Sequence, residues 1–213
     1  MLAWLIDLVL HLDRHLVELL AQFHLWIYPL LFAVIFAETG LVVTPFLPGD
    51  SLLFAVGALA AVDSSGTLSA PLACLLLGSA AVLGNLANYG IGRAIGPPAF
   101  SGRYRLLKVQ YLHYAQDFFR RYGAMAITLS RFMPIVRTCA PFVAGVGRMP
   151  FGRFLAYNLL GGFAWVLLFV GGGYLFGNIP LVKQNFGVVT LCIVAVSLVP
   201  LAVALLRRPR SPA

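Results

Sequence analysis

Hydrophobic residues run through this chain in blocks separated by short polar or Pro/Gly-rich breaks. Three blocks, residues 68–96, 151–176 and 186–206, are long enough to cross a hydrocarbon core of about 30 Å as single helices. Two others are not. Residues 26–62 are interrupted at Pro45, Pro48 and Gly49, and residues 124–147 at Pro134, Pro141 and Gly145. The apolar arm 124–136 would reach only about 20 Å as a helix rising 1.5 Å per residue. Half-length helices meeting at such breaks predict re-entrant hairpins, which a membrane tolerates only where protein or water covers the exposed backbone. Residues 1–24 follow another rule. Asp7, His11, Arg14, Glu18 and Gln22 recur at spacings of three and four, giving one polar stripe on an apolar helix that lies in the interface.

The expected architecture is an all-α polytopic membrane protein. Two oppositely oriented re-entrant helical hairpins combine with about three full transmembrane helices and interfacial amphipathic helices. Residues 25–206 form its membrane domain. Composition agrees: 61% of the 213 residues are hydrophobic, and mean hydropathy is +0.91, which excludes an ordinary soluble domain. The net charge of +8 is concentrated in a basic linker, 97–123, and a tail, 207–213. Beside membrane spans such clusters mark the cytoplasmic side rather than a nucleic-acid surface. Counting back from a cytoplasmic C-terminus, the first hairpin enters from outside and the second from inside. Tyr104, Tyr111, Tyr114, Phe118 and Phe119 predict a second interfacial helix in the linker. Cys74, Cys139 and Cys192 read as packing residues, and the odd count with no CxxC pair indicates neither disulfide frame nor zinc site. His11 and His15, four apart, read as wet surface histidines, so no metal and no cofactor are expected. The N-terminus lacks the features of a cleaved signal peptide.

The hairpins carry charge where it is least tolerated. The first contributes Glu38 and Asp50, the second Arg131 and Arg137. An ionisable group at the bilayer centre costs about 2.5–3.5 kcal/mol on insertion scales, so four cost roughly 10–14 kcal/mol. Such groups face a cavity, pair with one another and mark a binding or transport site. Pro/Gly-broken apolar segments at corresponding places in two halves point the same way. Arg131 and Arg137 lie off-face on a continuous helix, but a break at Pro134 lets them converge on one phosphate, which arginine holds through two parallel hydrogen bonds. Ser51 and Thr138 supply further donors. Glu38 and Asp50 are the counter-charges of the empty site and candidate proton carriers. Arg93 reads first as a snorkelling anchor and second as a headgroup ligand. Trp4, Trp26 and Trp165 read as interface or packing residues.

These segments resemble the DedA family, whose domain is also called VTT or SNARE-associated Golgi protein. The likeness rests on F-x-E-T-G followed by P-x-x-P-G-D-S over residues 36–51, and on S-R-F-x-P-x-x-R followed by P-x-x-A-G over residues 130–145. Gly90, Gly92, Arg93 and Gly96 agree, as do Asn158, Gly161 and Trp165. The resemblance implies lipid transport: bacterial members resemble undecaprenyl phosphate translocases, eukaryotic ones are scramblases, and some are linked to the proton motive force. It implies functional roles for Glu38, Asp50, Arg131 and Arg137, and a bacterial inner membrane location. Many members carry Gly-Asp where this chain has Gly84-Asn85, which bears on proton coupling.

The expected function is therefore a flippase-like transporter of undecaprenyl phosphate or a related phospholipid. Its partners are the lipid phosphate, the bilayer and coupling protons, and self-association into a homo-oligomer is compatible. The alternative is a proton-coupled carrier of a small anion or other solute. A lipid phosphatase is disfavoured: Ser130-Arg131 begins an S-R-x5-H pattern, but Arg137 stands where that chemistry needs histidine, so no enzyme is expected.

Overall fold

The computed structural model describes residues 26–41, 49–63, 66–96, 98, 109–176 and 179. The predicted N-terminal helix, Pro45, Pro48, Cys192, the span 186–206 and the basic tail lie outside them. All secondary structure among the described residues is helical: α1 (Ile27–Gly40), α2 (Gly49–Val62), α3 (Ala70–Ile95), α4 (Val109–Tyr122), α5 (Ala126–Ser130), α6 (Pro134–Val146) and α7 (Phe151–Phe176). A 3-10 turn, Gly123–Met125, joins α4 to α5. Two helices, α3 and α7, are long and apolar enough to cross a membrane, at 26 residues each.

Local chemistry explains the boundaries. Pro71 sits in the first turn of α3, where its missing N–H costs nothing. The break between α5 and α6 begins as a tightening of the helix: Phe132 N donates to Leu129 O at 3.2 Å and Met133 N to Ser130 O at 2.9 Å. Met133, forced extended by the following proline, has φ −127° and ψ 107°, and Pro134 opens α6. Two expected breaks are not breaks. Pro141 and Gly145 both lie inside α6, which runs through them to Val146. A helix held by packing on both sides of a proline survives the loss of one backbone bond, and Gly145 serves a close contact instead.

α3 and α7 run antiparallel, with Gly78 against Phe163 and Asn85 against Asn158. α1 runs alongside α3 in the same direction: the Tyr28 hydroxyl accepts from Ser69 N at 2.7 Å near the start of α3, and Gly40 meets Gly84 at its middle. α2 follows α7, with Asp50 at Trp165 and Gly57 at Val170. α1 and α2 therefore form a helical hairpin against the two long helices. α5 follows α7 (Thr128 at Tyr157), and α6 follows α3 (Thr138 at Asn88), forming a second hairpin from the opposite end. The turning points meet beside the middle of α3 and α7.

The helices approach closely because glycine removes the side chain at the crossings. Gly92 lies on the carbonyl of Phe142 and Gly145 on that of Tyr89; Gly57 lies on Val170 and Gly173 on Phe54. The same three-residue spacing recurs on all four helices, so the α3–α6 and α2–α7 crossings are equivalent in register. One apolar cluster, including Ile35, Leu53, Leu77 and Val170, fills one end of the molecule; a second, including Ile127, Phe142, Phe154 and Tyr89, fills the other. Outward faces carry exposed Leu75 and Leu83 on α3, and Leu160, Leu167 and Leu168 on α7. Apolar outside and polar at mid-depth is the arrangement suited to lipid as solvent.

The crossings make a steric prediction. A Cβ on Gly57 or Gly92 falls inside contact distance of backbone atoms, whereas one on Gly90 meets nothing within 4 Å. Gly57→Val and Gly92→Val are each expected to destabilise the detergent-solubilised protein by about 1–3 kcal/mol, with Gly90→Ala neutral or stabilising, read from thermal unfolding monitored by size-exclusion fluorescence.

Candidate functional site

The polar layer between the two apolar clusters is built from both hairpins and both long helices. Glu38 closes α1, Asp50 opens α2, Arg131 follows α5 at the helix break, and Arg137 lies in the first turn of α6. Arg137 Nη2 donates to Glu38 Oε1 at 2.6 Å, and its Nη1 donates to Asp50 Oδ1 at 2.7 Å. Glu38 is 1% and Arg137 7% exposed, so these are desolvated pairs. Breaking such a pair leaves a buried charge uncompensated. Gly49 is required beside them: a Cβ there would overlap the Glu38 carboxylate.

Trp165 joins the cluster from the middle of α7. Its indole N–H donates to Asp50 Oδ1 at 2.9 Å. Its ring lies 5.1 Å from the Arg137 guanidinium and 5.9 Å from that of Arg131, within the range of cation–π attraction. The two arginines thus converge, as the break at Pro134 predicts, with the indole beside both. Trp165 is fully buried in the apolar core, as a packing residue is, and its hydrogen bond to the cluster gives it a second role that the sequence did not signal.

Arg131 is held differently. It is 1% exposed and makes no ion pair among the described residues. Its Nη2 donates to Asn158 Oδ1 at 2.7 Å and to the Ala81 carbonyl at 3.3 Å. Asn158 is oriented in turn, donating to Val82 O at 3.0 Å and accepting from Asn85 Nδ2 at 3.0 Å. The Nε and Nη1 atoms of Arg131 have no hydrogen-bond partner, nor do Glu38 Oε2 and Ser51 Oγ. Gly161 and Gly162 make room for the guanidinium on α7. Asn88 Nδ2 donates to the Thr138 carbonyl at 2.9 Å and the Thr39 carbonyl at 3.3 Å, tying α1 and α6 to α3.

Of the residues expected at the site, Glu38, Asp50, Arg131 and Arg137 come together, with Ser51 and Thr138 buried next to them in sequence. Arg93 does not join. It is an exposed residue in the last turn of α3, donating to the Tyr89 hydroxyl at 3.2 Å. Asn85 and Asn158 stand in the sequence reading only as points of comparison with the family, and Asn88 not at all; the signal was an amide repeating within otherwise apolar spans, each of which needs a partner in lipid. Among the described residues no group of His, Cys, Asp and Glu is suited to hold a metal ion.

The VTT domain matches residues 47–175. The chain is 46% identical to Protein DedA of Escherichia coli K12 over 211 residues, covering 99% of this chain and 96% of the relative. The chain belongs to the DedA family of membrane proteins. The Escherichia coli inner membrane protein YghB is 35% identical over 183 residues, 85% of this chain and 79% of its own length. The inner membrane protein YqjA is 37% identical over 155 residues, 72% and 69% of the two chains. No solved structure matches significantly. In the DedA frame the acids and arginines singled out from the sequence are the ones that the fold gathers into a single buried cluster.

Pairing in this cluster makes a stability prediction. Arg137→Met leaves two buried carboxylates without their cation and is expected to cost about 3–5 kcal/mol. Adding Glu38→Gln and Asp50→Asn to it restores most of that loss. Chemical unfolding in micelles of the single and triple variants measures both; a triple variant no more stable than the single would show that the pairs do not act as a unit.

Proposed function

We propose that this protein is a lipid transporter of the flippase type, moving a lipid phosphate, undecaprenyl phosphate or a related phospholipid, across the inner membrane, rather than an enzyme. The observation that carries this reading is the difference between the two arginines. Arg137 is neutralised by Glu38 and Asp50, whereas Arg131 is buried against neutral oxygens with two donor nitrogens unused. A planar guanidinium with two free N–H positions is suited to a phosphate oxygen. Ser51 Oγ is a second unused buried donor.

In the same reading the hairpins are re-entrant. The 14 residues of α1 or α2 span about 21 Å as a helix, short of a core of about 30 Å, whereas the 26 of α3 or α7 reach about 39 Å. Hairpins entering from opposite ends place their turns, and hence the charges, near mid-membrane. Arg93, Arg120, Arg148 and Arg153 gather where α3 ends and α7 begins; the described residues at the opposite end carry Asp63 and no Lys or Arg. The positive-inside rule makes the basic end cytoplasmic. Glu38 and Asp50 hold the cations in the empty site and exchange with the phosphate, by protonation where transport is coupled to a proton gradient.

The test is headgroup flipping in proteoliposomes loaded with undecaprenyl phosphate, with and without a pH gradient. Arg131→Ala is expected to reduce flipping at least tenfold, and Glu38→Gln to remove any dependence on the gradient. Folded protein that flips no lipid under either gradient would overturn the proposal and favour a carrier of small anions.

A further inference from the structure

A separate cavity of about 410 Å³ opens at the basic end of the molecule, well removed from the buried charge cluster. Its described lining comes from three elements. α4 contributes Gln116, Phe119 and Arg120; the end of α6 contributes Val143, Ala144 and Val146; the first turn of α7 contributes Arg153. Gly147, Met149 and Ala124 complete it. The volume falls in the range of small-molecule sites, about 300–1,000 Å³.

The chemistry of the walls is asymmetric. The floor is apolar, formed by Val143, Val146, Met149 and Phe119, and continuous with the core cluster that packs under α4. The rim carries two cations and an amide, Arg120, Arg153 and Gln116, and no acid among its described residues. Asp117 faces Arg120 only across an exposed 3.5 Å contact, which binds the guanidinium weakly. α4 is amphipathic: Ala115 is buried, Phe118 and Phe119 pack on the core, and Arg120 and Arg121 are exposed. Such a helix rests at the headgroup level of a bilayer, which sets this opening at the depth of lipid phosphates.

We infer that this cavity is a docking site for the phosphate monoester headgroup of a membrane lipid. Arg120 and Arg153 bind the phosphate, Gln116 donates to an ester or phosphoryl oxygen, and the apolar floor receives the first methylenes of the chain. The inference stands on the cavity and its position, and holds whether or not the central cluster moves lipid. An anionic headgroup fits two cations with no competing acid; a zwitterionic choline headgroup would set its ammonium against them.

The test is equilibrium binding of dihexanoyl phosphatidic acid to the full chain in detergent, with dihexanoyl phosphatidylcholine and inorganic phosphate as comparators. Wild type is expected to bind the phosphatidic acid at least tenfold more tightly than either. Arg120→Gln combined with Arg153→Gln, both at exposed positions, is expected to weaken binding at least tenfold. Ala124→Trp, which fills the cavity and keeps both charges, is expected to do the same. Gly90→Ala, which touches neither this cavity nor the central cluster, is expected to bind as wild type, and flipping by the Arg120→Gln/Arg153→Gln variant is read separately, so that failure here is distinguishable from failure of transport. Unchanged affinity in the double variant would overturn the inference. So would equal binding of the choline lipid, which indicates an apolar groove alone, or equal binding of inorganic phosphate, which indicates a free-anion site.

Discussion

Arg137 is the residue on which the arrangement of the middle of this molecule depends. Its one guanidinium pairs with the last turn of α1 and the first turn of α2, and lies beside an indole from α7. Neither hairpin could keep its charge at mid-depth alone. The effective cost of burying an ion is several kcal/mol, and attraction offsets it only when geometry is good and the remaining hydrogen-bonding positions are filled. Here the geometry is good, and the filling is partial. Asp50 has Trp165 as a second donor on its Oδ1, while Glu38 retains an oxygen without a partner. Incomplete satisfaction in a buried polar network is expensive. The network lies at the meeting of two hairpin tips and not in a uniform core, where four helices depend on it.

The frame around the cluster is close to symmetric and its contents are not. The glycine crossings equate α2 with α6 and α3 with α7, position for position through Phe54 and Phe142, Gly57 and Gly145. Extending the same register along the long helices equates Gly84 of α3 with Trp165 of α7. At Gly84 the tip of α1 packs directly on the backbone, with Gly40 and Thr39 against it. At Trp165 the indole separates the hairpins from α7 and gives both arginines a ring to lie beside. One scaffold repeated in opposite senses thus holds a cationic half and an acidic half, and the substitution of a large aromatic for glycine gives the site its shape.

Most of the fold was legible because bilayer and core impose length and periodicity together. The expected span 151–176 coincides with α7, and the helix pairs α1–α2 and α5–α6 fall inside the two broken segments 26–62 and 124–147. The four charges were legible because nothing but a shared site justifies them in apolar sequence. Pro141 and Gly145 were misread because a proline in sequence signals a break, whereas a helix packed against α3 can lose one hydrogen bond and persist. Gly145 was needed for what it lacks, a side chain against Tyr89, and no local pattern separates that from a turn glycine. Trp165 and the asparagines at 85, 88 and 158 were illegible as a network. Their partners are 27 to 115 residues away, so their meaning exists only once the helices are antiparallel.

The contacts also divide the molecule along a seam. α1 and α6 pack along α3, and α2 and α5 pack along α7, so each hairpin is split between two bundles related by the register above. Glu38 and Arg137 belong to the first bundle; Asp50, Trp165, Arg131 and Asn158 belong to the second. Of the two ion pairs, only Arg137 with Asp50 crosses the seam, together with the Asn85–Asn158 bond and donation from Arg131 and Asn158 to the α3 carbonyls. These are single hydrogen bonds, set beside side-chain packing of α3 on α7, with the Phe163 ring on Gly78 and Val82 on Gly162. The polar contacts across the seam are therefore few, and they are set in a larger apolar contact in which Leu77 and Ile35 of one bundle share a core with Leu53 and Val170 of the other. On the proposed reading, a seam lined by a cation, its counter-ion and a second cation with unused donors suits a lipid phosphate; the paired glycines lie within the bundles, at the α3–α6 and α2–α7 crossings, and hold each one together.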